Sequence, residues 1–384
     1  MKKPTVALVR GSFLNRYDMQ SFEPLSRKYA ITAFGSLSPI HDRFSFPVVH
    51  LPSPMDIPEF PYKMPILNRM CVDAHYLMGL ERRLRGYDIA HTAETYYHYT
   101  KQALDAKKRG WVKRVVATVW ETLPHANEGI WGRRGFKARA IRELDHIIAV
   151  TEKAKEALVI EGANPDKITV IGAHIDTNMF APKNGWLASV GDPKKRSLTI
   201  LFCGRLVPEK GVKEVLDVMR RFAENPLYAN YHIHWKFVGA GAMERDVIRE
   251  NVQKGKNWHS TLESATYLEM PFIYRSADIF IAPSIPTDTW EEQYGMALLE
   301  AQACGLPIIT TRSGGIPENV GDAAVLVPSG DTDALSHAIG RFVTDASLRK
   351  TFAARARARA VKVHHIRVGV RLLAGVYERV LSGK

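Results

Sequence analysis

The sequence predicts an α/β protein made of two doubly wound, Rossmann-like domains. Short β-rich runs alternate with helix-length segments along residues 1–180, as in a parallel sheet covered by helices on both faces. Residues 181–197, APKNGWLASVGDPKKRS, interrupt this pattern with Pro, Gly, Lys and Asp. A second series of the same kind begins at residue 198, which predicts a second sheet.

The first domain is predicted over residues 1–180. Helix-length segments at 66–84 and 96–109 separate some of its strands. The predicted strands lie at residues 5–10, 47–52, 88–93, 115–120, 146–151 and 168–173.

Residues 181–197 are predicted to be a linker, and the second domain is predicted over 198–365. Residues 335–384 are predicted to be helical throughout, with 366–384 packing back on the first domain. If the two domains face each other, the carboxyl ends of their strands line a central cleft, where ligands of α/β sheets bind. The predicted strands of this domain lie at residues 198–204, 232–239, 278–284, 306–311 and 323–328.

Composition favours a globular enzyme of the cytoplasm. Hydrophobic residues make up 46% of the 384 residues and charged residues 24%. The three cysteines are far apart and suggest no disulfide framework, which suits a reducing compartment. There is no HExxH pattern, and Asp331-Thr332-Asp333 is best explained as a helix cap. The sequence therefore predicts no metal site and no membrane span.

Positive charge is concentrated in two parts of the chain. Residues 341–384 contain eleven Lys or Arg against two Asp or Glu, and residues 101–160 contain thirteen against seven. These charges suit either solvated helix faces or attraction to an anionic surface, which would be lipid head groups or a polyanion. Lipid head groups would place the protein peripherally on the inner membrane face. No nucleic-acid-binding module accompanies them, so no nucleic-acid partner is expected.

The segment 291–321, EEQYGMALLEAQACGLPIITTRSGGIPENVG, contains two acids eight residues apart. A buried helix is predicted from Tyr294 to Cys304, with Glu300 in its middle and Glu292 before its start. Gly295 lets a ligand approach the free amides of the first turn, which favour an anion. Eight helical residues span about 12 Å, which suits sugar, diphosphate and ribose in a row. A buried core helix explains the segment about as well.

Two cations lie on one strand-to-helix loop of the second domain. The stretch FCGRLVPEKGVKEVL (202–216) contains Arg205 and Lys210 just after a predicted strand. Two cations that converge on one point suit a diphosphate leaving group. The alternative is an ordinary solvated loop.

These two motifs carry a resemblance. GRLVPEKGV, together with EEQYGMALLEAQACGLPIITTRSGGIPENVGDAAVLVPSGD, resembles the family-4 retaining glycosyltransferases of the GT-B fold. The resemblance is strong over residues 198–335 and weaker over 1–180, where only HIIAVTEKAKEAL and IDTNMFAP look similar. It implies transfer of a hexosyl group from a nucleoside diphosphate sugar to an acceptor hydroxyl on a glycan or lipid-linked glycan, with retention and without a metal or other cofactor.

The resemblance also implies roles for particular residues. Arg205 and Lys210 match the cations that hold the donor phosphates, Glu292 the acid at the donor sugar, and Glu300 the acid at the ribose. The remaining matches are donor-binding: Gly295, Met296 and Ala297 supply amides at the phosphates, and Tyr267 and Leu268 lie near the base.

The first domain, which the resemblance makes the acceptor side, departs from the family pattern. In place of a glycine-rich first loop the chain has RGSFLNRYDM, where Gly11 would still let the backbone approach the diphosphate. Many relatives have a histidine after the fifth strand, whereas this chain reads VWETLPHANEG. His125 and Glu121 are the two candidates for the sugar or acceptor contact there.

Two other functions remain open. The chain could be a non-catalytic relative that binds only a nucleotide-sugar or an anionic surface, although the intact cations and acids argue against it. It could also be a GT-B phosphorylase, whose reaction would depend on inorganic phosphate.

Overall fold

The computed structural model describes residues 3–252 and 257–383, which divide into two compact units. Of these residues, unit 1 comprises 3–174 and 366–383, and unit 2 comprises 175–252 and 257–365. None of the helices in the described ranges is long and apolar enough to cross a membrane.

Unit 1 is built on a seven-stranded, all-parallel sheet with the strand order β3-β2-β1-β4-β5-β6-β7. The strands are β1 (Thr5–Gly11), β2 (Ala30–Gly35), β3 (Val48–His50), β4 (Tyr87–Ala93), β5 (Val112–Val119), β6 (His146–Ala149) and β7 (Ile168–Val170). The first seven helices are α1 (Arg16–Met19), α2 (Phe22–Leu25), α3 (Lys63–Met70), α4 (Leu80–Arg83), α5 (His98–Lys108), α6 (Arg133–Glu143) and α7 (Glu152–Ile160).

Unit 2 contains a six-stranded parallel sheet with the order β10-β9-β8-β11-β12-β13. Its strands are β8 (Ser197–Cys203), β9 (His232–Val238), β10 (Trp258–Glu263), β11 (Ile279–Ala282), β12 (Ile308–Thr311) and β13 (Val325–Val327). Its helices are α8 (Trp186–Val190), α9 (Val212–Glu224), α10 (Glu244–Val252), α11 (Met270–Ser276), α12 (Met296–Ala303), α13 (Ile316–Val320), α14 (Thr332–Thr344) and α15 (Ala346–Arg359).

The predicted fold class, two Rossmann-like parallel-sheet domains, is confirmed. Strand β1 shows why residues 6–9 are all apolar: Val6 and Leu8 point into one buried core, and Ala7 and Val9 into another. A parallel strand that is covered on both faces gains from apolar side chains at every position. Strands β2 and β10 were not predicted, because AITAFG and WHSTLE contain small or polar residues that weaken the strand signal.

The predicted helix over 66–84 is wrong. Helix α3 ends at Met70, and α4 does not begin until Leu80. Between them Asp73 adopts φ 63°, and its buried carboxylate accepts hydrogen bonds from the backbone N–H of His98 and from the Arg133 guanidinium. These polar contacts hold residues 71–79 out of the helical conformation.

Residues 181–197, which the sequence suggests are a linker, lie within unit 2. Helix α8 packs there: the Trp186 ring would touch a Cβ added to Gly305, and the Arg349 side chain donates to the Val190 carbonyl at 3.0 Å. Its Trp, Leu and Val residues therefore contribute to the packing of the unit.

The helical tail is interrupted rather than continuous. A π-helical turn spans Ala360–His364, and His365 has extended backbone at φ −64° and ψ 137°. Helix α16 (Ile366–Ser382) then packs in unit 1. Its Leu373, Val376 and Tyr377 join the core that contains Val6 and Leu8 of β1. The Tyr377 hydroxyl lies 2.6 Å from Nδ1 of the buried His91.

Candidate functional site

The strand order of unit 2 reverses between β8 and β11, which lie side by side. In doubly wound sheets, the crevice at the carboxyl ends of such a strand pair is where ligands bind. Two loops begin there: residues 204–211 lead from β8 to α9, and residues 283–295 lead from β11 to α12.

The two loops approach each other closely at Gly211. It has φ 73°, which favours glycine, and a Cβ there would lie 2.0 Å from the Pro283 carbonyl oxygen. The preceding turn, Pro208–Lys210, is a short 3₁₀ helix. This contact fixes the backbone that carries Lys210 against the end of β11.

Lys210 and Glu292, both predicted to be site residues, are in direct contact. The Lys210 ammonium is ion-paired with the Glu292 carboxylate, and the Ser284 hydroxyl donates to the same oxygen, Oε2, at 3.1 Å. The ammonium also lies 5.1 Å from the centre of the Trp290 ring. Both charged side chains are largely shielded from solvent, so their attraction is stronger than that of a surface pair.

Arg205 lies on the same loop but does not join this pair. Its side chain is exposed and has no hydrogen bond or ion pair with any residue of 3–252 or 257–383. Its guanidinium donors are therefore available to an anion.

Gly295 precedes α12, which begins two residues later than the sequence predicts. It has φ 83°, and a Cβ there would lie 2.7 Å from Leu298 Cδ1. The Asn319 amide donates to the Tyr294 and Gly295 carbonyls and holds the entry to the helix. The amides of Met296 and Ala297 form the first turn, where backbone N–H groups have no intrahelical acceptor.

Glu300 is buried in α12, with 7% of its surface exposed. The Tyr274 hydroxyl donates to Glu300 Oε2 at 2.6 Å. Burial raises the pKa of Glu300 to about 7, although the Tyr274 hydrogen bond opposes that rise. Tyr274 was not identified from the sequence as the partner of this carboxyl, since it stands in the largely apolar stretch MPFIYRS.

Tyr267 and Leu268 differ in their accessibility. Tyr267 is 9% exposed and its ring centre lies 5.6 Å from that of Phe180, whereas Leu268 is 60% exposed. The Phe180 ring also packs on Tyr274 at 6.2 Å, which connects this aromatic group to the Glu300 partner.

In unit 1, Gly11 ends β1 with φ 56° and packs against the Tyr99 ring. The two candidates after β5 both contact residues of the loop that contains them. His125 is exposed and lies 3.2 Å from Glu128, and Glu121 accepts hydrogen bonds from the backbone of Thr122 and Leu123 at 3.0 Å. Burial raises the pKa of Glu121.

His125, Glu128 and Glu161 form a group whose ligand-type atoms all lie within 4.8 Å of one another. The buried Lys137 ammonium already lies 2.5 Å from Glu161 and 3.7 Å from Glu128. A metal ion would have to compete with this ammonium for the same oxygens.

Glu94, which directly follows β4, was not among the predicted site residues. It is 4% exposed and has φ 56°, a backbone region rarely used by Glu. Its Oε1 accepts from the Trp120 N–H at 2.8 Å, and burial raises its pKa to about 8. An acid immediately after the buried run DIAHTA was the available signal.

Family comparisons agree with this architecture. Residues 188–359 match the family described as "Glycosyl transferases group 1", and residues 27–179 match "Glycosyltransferase Family 4". A D-inositol 3-phosphate glycosyltransferase from Thermomonospora curvata is 26% identical over 270 residues, which is 64% of this chain and 61% of that protein. An O-antigen chain mannosyltransferase B from Escherichia coli is 28% identical over 162 residues, 42% of this chain and 40% of that one. The matched segments thus span about two-fifths to three-fifths of these relatives.

Solved structures share the fold. A glycosyltransferase from Rickettsia africae has a TM-score of 0.74 at 16% identity, with 100% of both chains covered. Anabaena HepE, solved in complex with UDP and glucose, has a TM-score of 0.72 at 16% identity and covers 97% of this chain and 99% of its own.

Proposed function

We propose, from the premise that this chain belongs to the family-4 glycosyltransferases of the GT-B fold, that it moves a hexosyl group from a nucleoside diphosphate sugar to an acceptor hydroxyl. The observation that carries the proposal is the Lys210–Glu292 pair at the carboxyl ends of β8 and β11. A carboxylate for sugar hydroxyls and a cation for phosphate lie there in contact.

In this proposal the donor phosphates lie against Arg205, Lys210 and the first-turn amides of Met296 and Ala297. Charge develops on the departing diphosphate as the bond from the sugar C1 to its oxygen breaks, and the two cations and the helix dipole stabilise it. Glu292 accepts hydrogen bonds from the transferred sugar. Glu300 accepts hydrogen bonds from the ribose hydroxyls.

The acceptor oxygen bonds to C1 on the face that the diphosphate leaves, which retains the anomeric configuration. The acceptor proton passes to an oxygen of the leaving phosphate, so no protein base is required. The cations perform the charge stabilisation that a metal performs elsewhere, so the reaction is metal-independent in this proposal. We also propose a cytoplasmic location and, from the basic residues, contact with anionic membranes that contain a lipid-linked acceptor.

The first test is a thermal-shift screen with UDP-, GDP- and ADP-sugars. A ligand that binds the folded state stabilises it by RT ln(1 + [L]/Kd), so the donor raises the melting temperature. Hydrolysis of that donor by the purified protein, with unchanged rate in EDTA, then supports a metal-independent transferase. Binding without hydrolysis or transfer would favour the non-catalytic relative, and a strict need for inorganic phosphate would favour the phosphorylase.

A further inference from the structure

Unit 1 contains buried side-chain atoms that lack a hydrogen-bond partner, and they gather at one edge of its sheet. Four belong to residues that follow a strand: Ser12 after β1, Ser36 after β2, Glu94 after β4 and Thr122 after β5. The carboxyl ends of parallel strands meet at one edge, where α/β sheets bind ligands. The other such atoms in the described part of unit 1 belong to His75, Tyr99 and Arg133.

Contacts join Tyr97 to His75 and Tyr99, and burial, followed by the charge of Glu94, raises the pKa of the Tyr97 phenol. The Tyr99 ring would touch a Cβ on Gly11, the neighbour of Ser12, and the Tyr99 N–H donates to the His75 carbonyl at 3.2 Å. The Tyr97 ring centre lies 4.4 Å from that of His75 and 5.2 Å from that of Tyr99. We refer to Ser12, His75, Glu94, Tyr97 and Tyr99 as the strand-end cluster.

Within the strand-end cluster, Glu94 combines an unfavourable backbone conformation with a buried oxygen that is unpaired in the described structure, and both cost folding free energy. Its backbone is fixed in the left-handed region by a bond from its N–H to the Thr118 carbonyl and by a bond from the Thr100 hydroxyl to its own carbonyl. Its Oε2 is buried without a partner among the described residues. Backbone strain of this kind is concentrated at functional sites, and a buried carboxyl oxygen without a partner is costly to keep.

An aromatic surface adjoins the strand-end cluster. Phe13 is 39% exposed, and its ring is stacked on His75 with centres 5.0 Å apart and on Tyr97 with centres 5.7 Å apart. A partly exposed aromatic stack offers an apolar face beside polar atoms. Such a combination suits a ring that has C–H groups on one face and hydroxyls at its edge.

The buried cations near this edge already have partners. Arg10 donates to the Val9 and His91 carbonyls, each at 2.9 Å. Arg133 is paired with the Asp73 carboxylate, and Lys137 with Glu161. Carboxylates therefore neutralise Arg133 and Lys137, backbone carbonyls bind Arg10, and an added phosphate would lie beside the Glu94 carboxyl.

We propose that the strand-end cluster binds an uncharged, hydroxyl-bearing ring of the acceptor, with a ring hydroxyl donating to Glu94 Oε2 and the ring lying on the Phe13 stack. This assignment rests on the proposed function and narrows its acceptor to a neutral sugar or polyol at this position. It makes Glu94 a residue that selects and positions the acceptor.

Protonation of Glu94 should make the affinity for the ring depend on pH, which packing alone would not do. Burial raises its pKa to about 8; of the charged groups around it, Glu121 and Glu161 raise this pKa further, and Lys137 lowers it. Arg10 also faces Glu94 from β1. Because a hydroxyl donates more strongly to a carboxylate than to a neutral carboxyl, ring affinity rises as the pH increases through about 8.

The experiment is an NMR saturation-transfer titration with methyl α-D-mannopyranoside and methyl α-D-glucopyranoside as neutral probes, and glucose 6-phosphate as the anionic probe. We expect at least one neutral probe to bind and Glu94→Gln to raise its Kd about tenfold above pH 8, where the carboxylate is ionised and its hydrogen bond is charge-assisted. Glu94→Gln should also remove the pH dependence, and Phe13→Ala should weaken binding at every pH. The matched control is Asp88→Asn at the other end of β4, where the carboxylate is bound to Thr5 and Lys113.

Three results would overturn the proposal: no neutral probe binds to the wild-type protein, Glu94→Gln binds it with unchanged affinity, or glucose 6-phosphate binds more tightly than the neutral probes. Calorimetry with UDP, GDP and ADP on the same samples separates this failure from that of the proposed function. If a nucleoside diphosphate binds while the neutral probes do not, only the acceptor assignment is wrong. If none of the diphosphates binds, the donor site itself is in question.

Discussion

Glu300 offers the sharpest test of the donor site, because its carboxyl changes charge near neutral pH. Burial raises its pKa to about 7, and its one recorded side-chain partner in the described structure is Tyr274. Under the proposed function the ionised carboxylate accepts hydrogen bonds from the ribose. Ionisation increases with pH, so donor affinity should rise as the pH increases through about 7.

The size of the effect follows from the ionised fraction. With a pKa of about 7, that fraction is about one tenth at pH 6, about one half at pH 7 and about nine tenths at pH 8. Donor affinity should therefore be about fivefold lower at pH 6 than at pH 7, and about twofold higher at pH 8. Glu300→Gln should have a flat profile and bind about 10- to 100-fold more weakly at pH 8, the equivalent of a hydrogen bond to a charged group.

The assay is calorimetry with the intact nucleoside diphosphate sugar that the thermal-shift screen identifies. The sugar-linked diphosphate is preferable to the free one, because a terminal phosphate itself titrates near pH 6. Tyr274→Phe is the matched variant. It removes the hydrogen bond that lowers the pKa of Glu300, so the midpoint of the affinity profile should move to higher pH.

Equal pH profiles for the wild type and Glu300→Gln would refute this reasoning, because the titrating group would then lie elsewhere. An unmoved midpoint in Tyr274→Phe would show that the phenol does not control this carboxyl. If Glu300→Gln binds the donor as tightly as the wild type, α12 is a core helix and the acid is structural.

Three further predictions concern the donor loops and the surface charge. Lys210→Gln should weaken nucleoside diphosphate binding by about 1.5–3 kcal/mol. Glu292→Gln should leave that affinity nearly unchanged and lower turnover. Equal losses of diphosphate affinity in calorimetry would contradict the assigned roles. Gly211→Ala should destabilise the protein by at least about 2 kcal/mol in urea unfolding, because its Cβ would overlap the Pro283 carbonyl. Gly162 has open space around it and φ 96°, so Gly162→Ala should destabilise the protein less. A larger loss of stability in Gly162→Ala would argue against the Gly211–Pro283 contact. The exposed basic residues of 341–384 and 101–160 should produce co-sedimentation with anionic vesicles at about 1 kcal/mol per cation near the surface, to which the buried Arg133, Lys137 and Arg349 do not contribute. Equal binding to neutral vesicles, or none, would count against a membrane role.

The sequence was most informative where one physical requirement dominates a segment. Buried parallel strands such as β1 need apolar residues along their central run, and helix α12 needs an apolar surface with two polar exceptions, Glu300 and Gln302. The charged loop residues of unit 2 were identifiable because cations and acids follow strands that could be recognised. The pairing of Lys210 with Glu292 was not predicted, because only the folded sheet shows that β8 and β11 lie side by side. The sequence suggested instead that Arg205 and Lys210 converge on one point, whereas Arg205 stands apart from the pair.

Other features depend on contacts between residues distant in the chain. The break after Met70 depends on Asp73, whose partners include Arg133, sixty residues away. The partner of Glu300 is twenty-six residues earlier, and nothing in MPFIYRS distinguishes its tyrosine from core packing. Glu94 carries a local signal, but its backbone strain and unpaired oxygen exist only in the folded sheet.

The position of α16 in unit 1 has a consequence for biosynthesis. Unit 2 is one continuous stretch of chain, whereas unit 1 needs residues 366–382, which the ribosome makes after all of unit 2. Until then Tyr29 and His91 lack the ring of Tyr377, which packs on both. Domains commonly fold as they emerge, so unit 2 can be complete while the face of the first sheet beneath α16 is still open and attractive to chaperones.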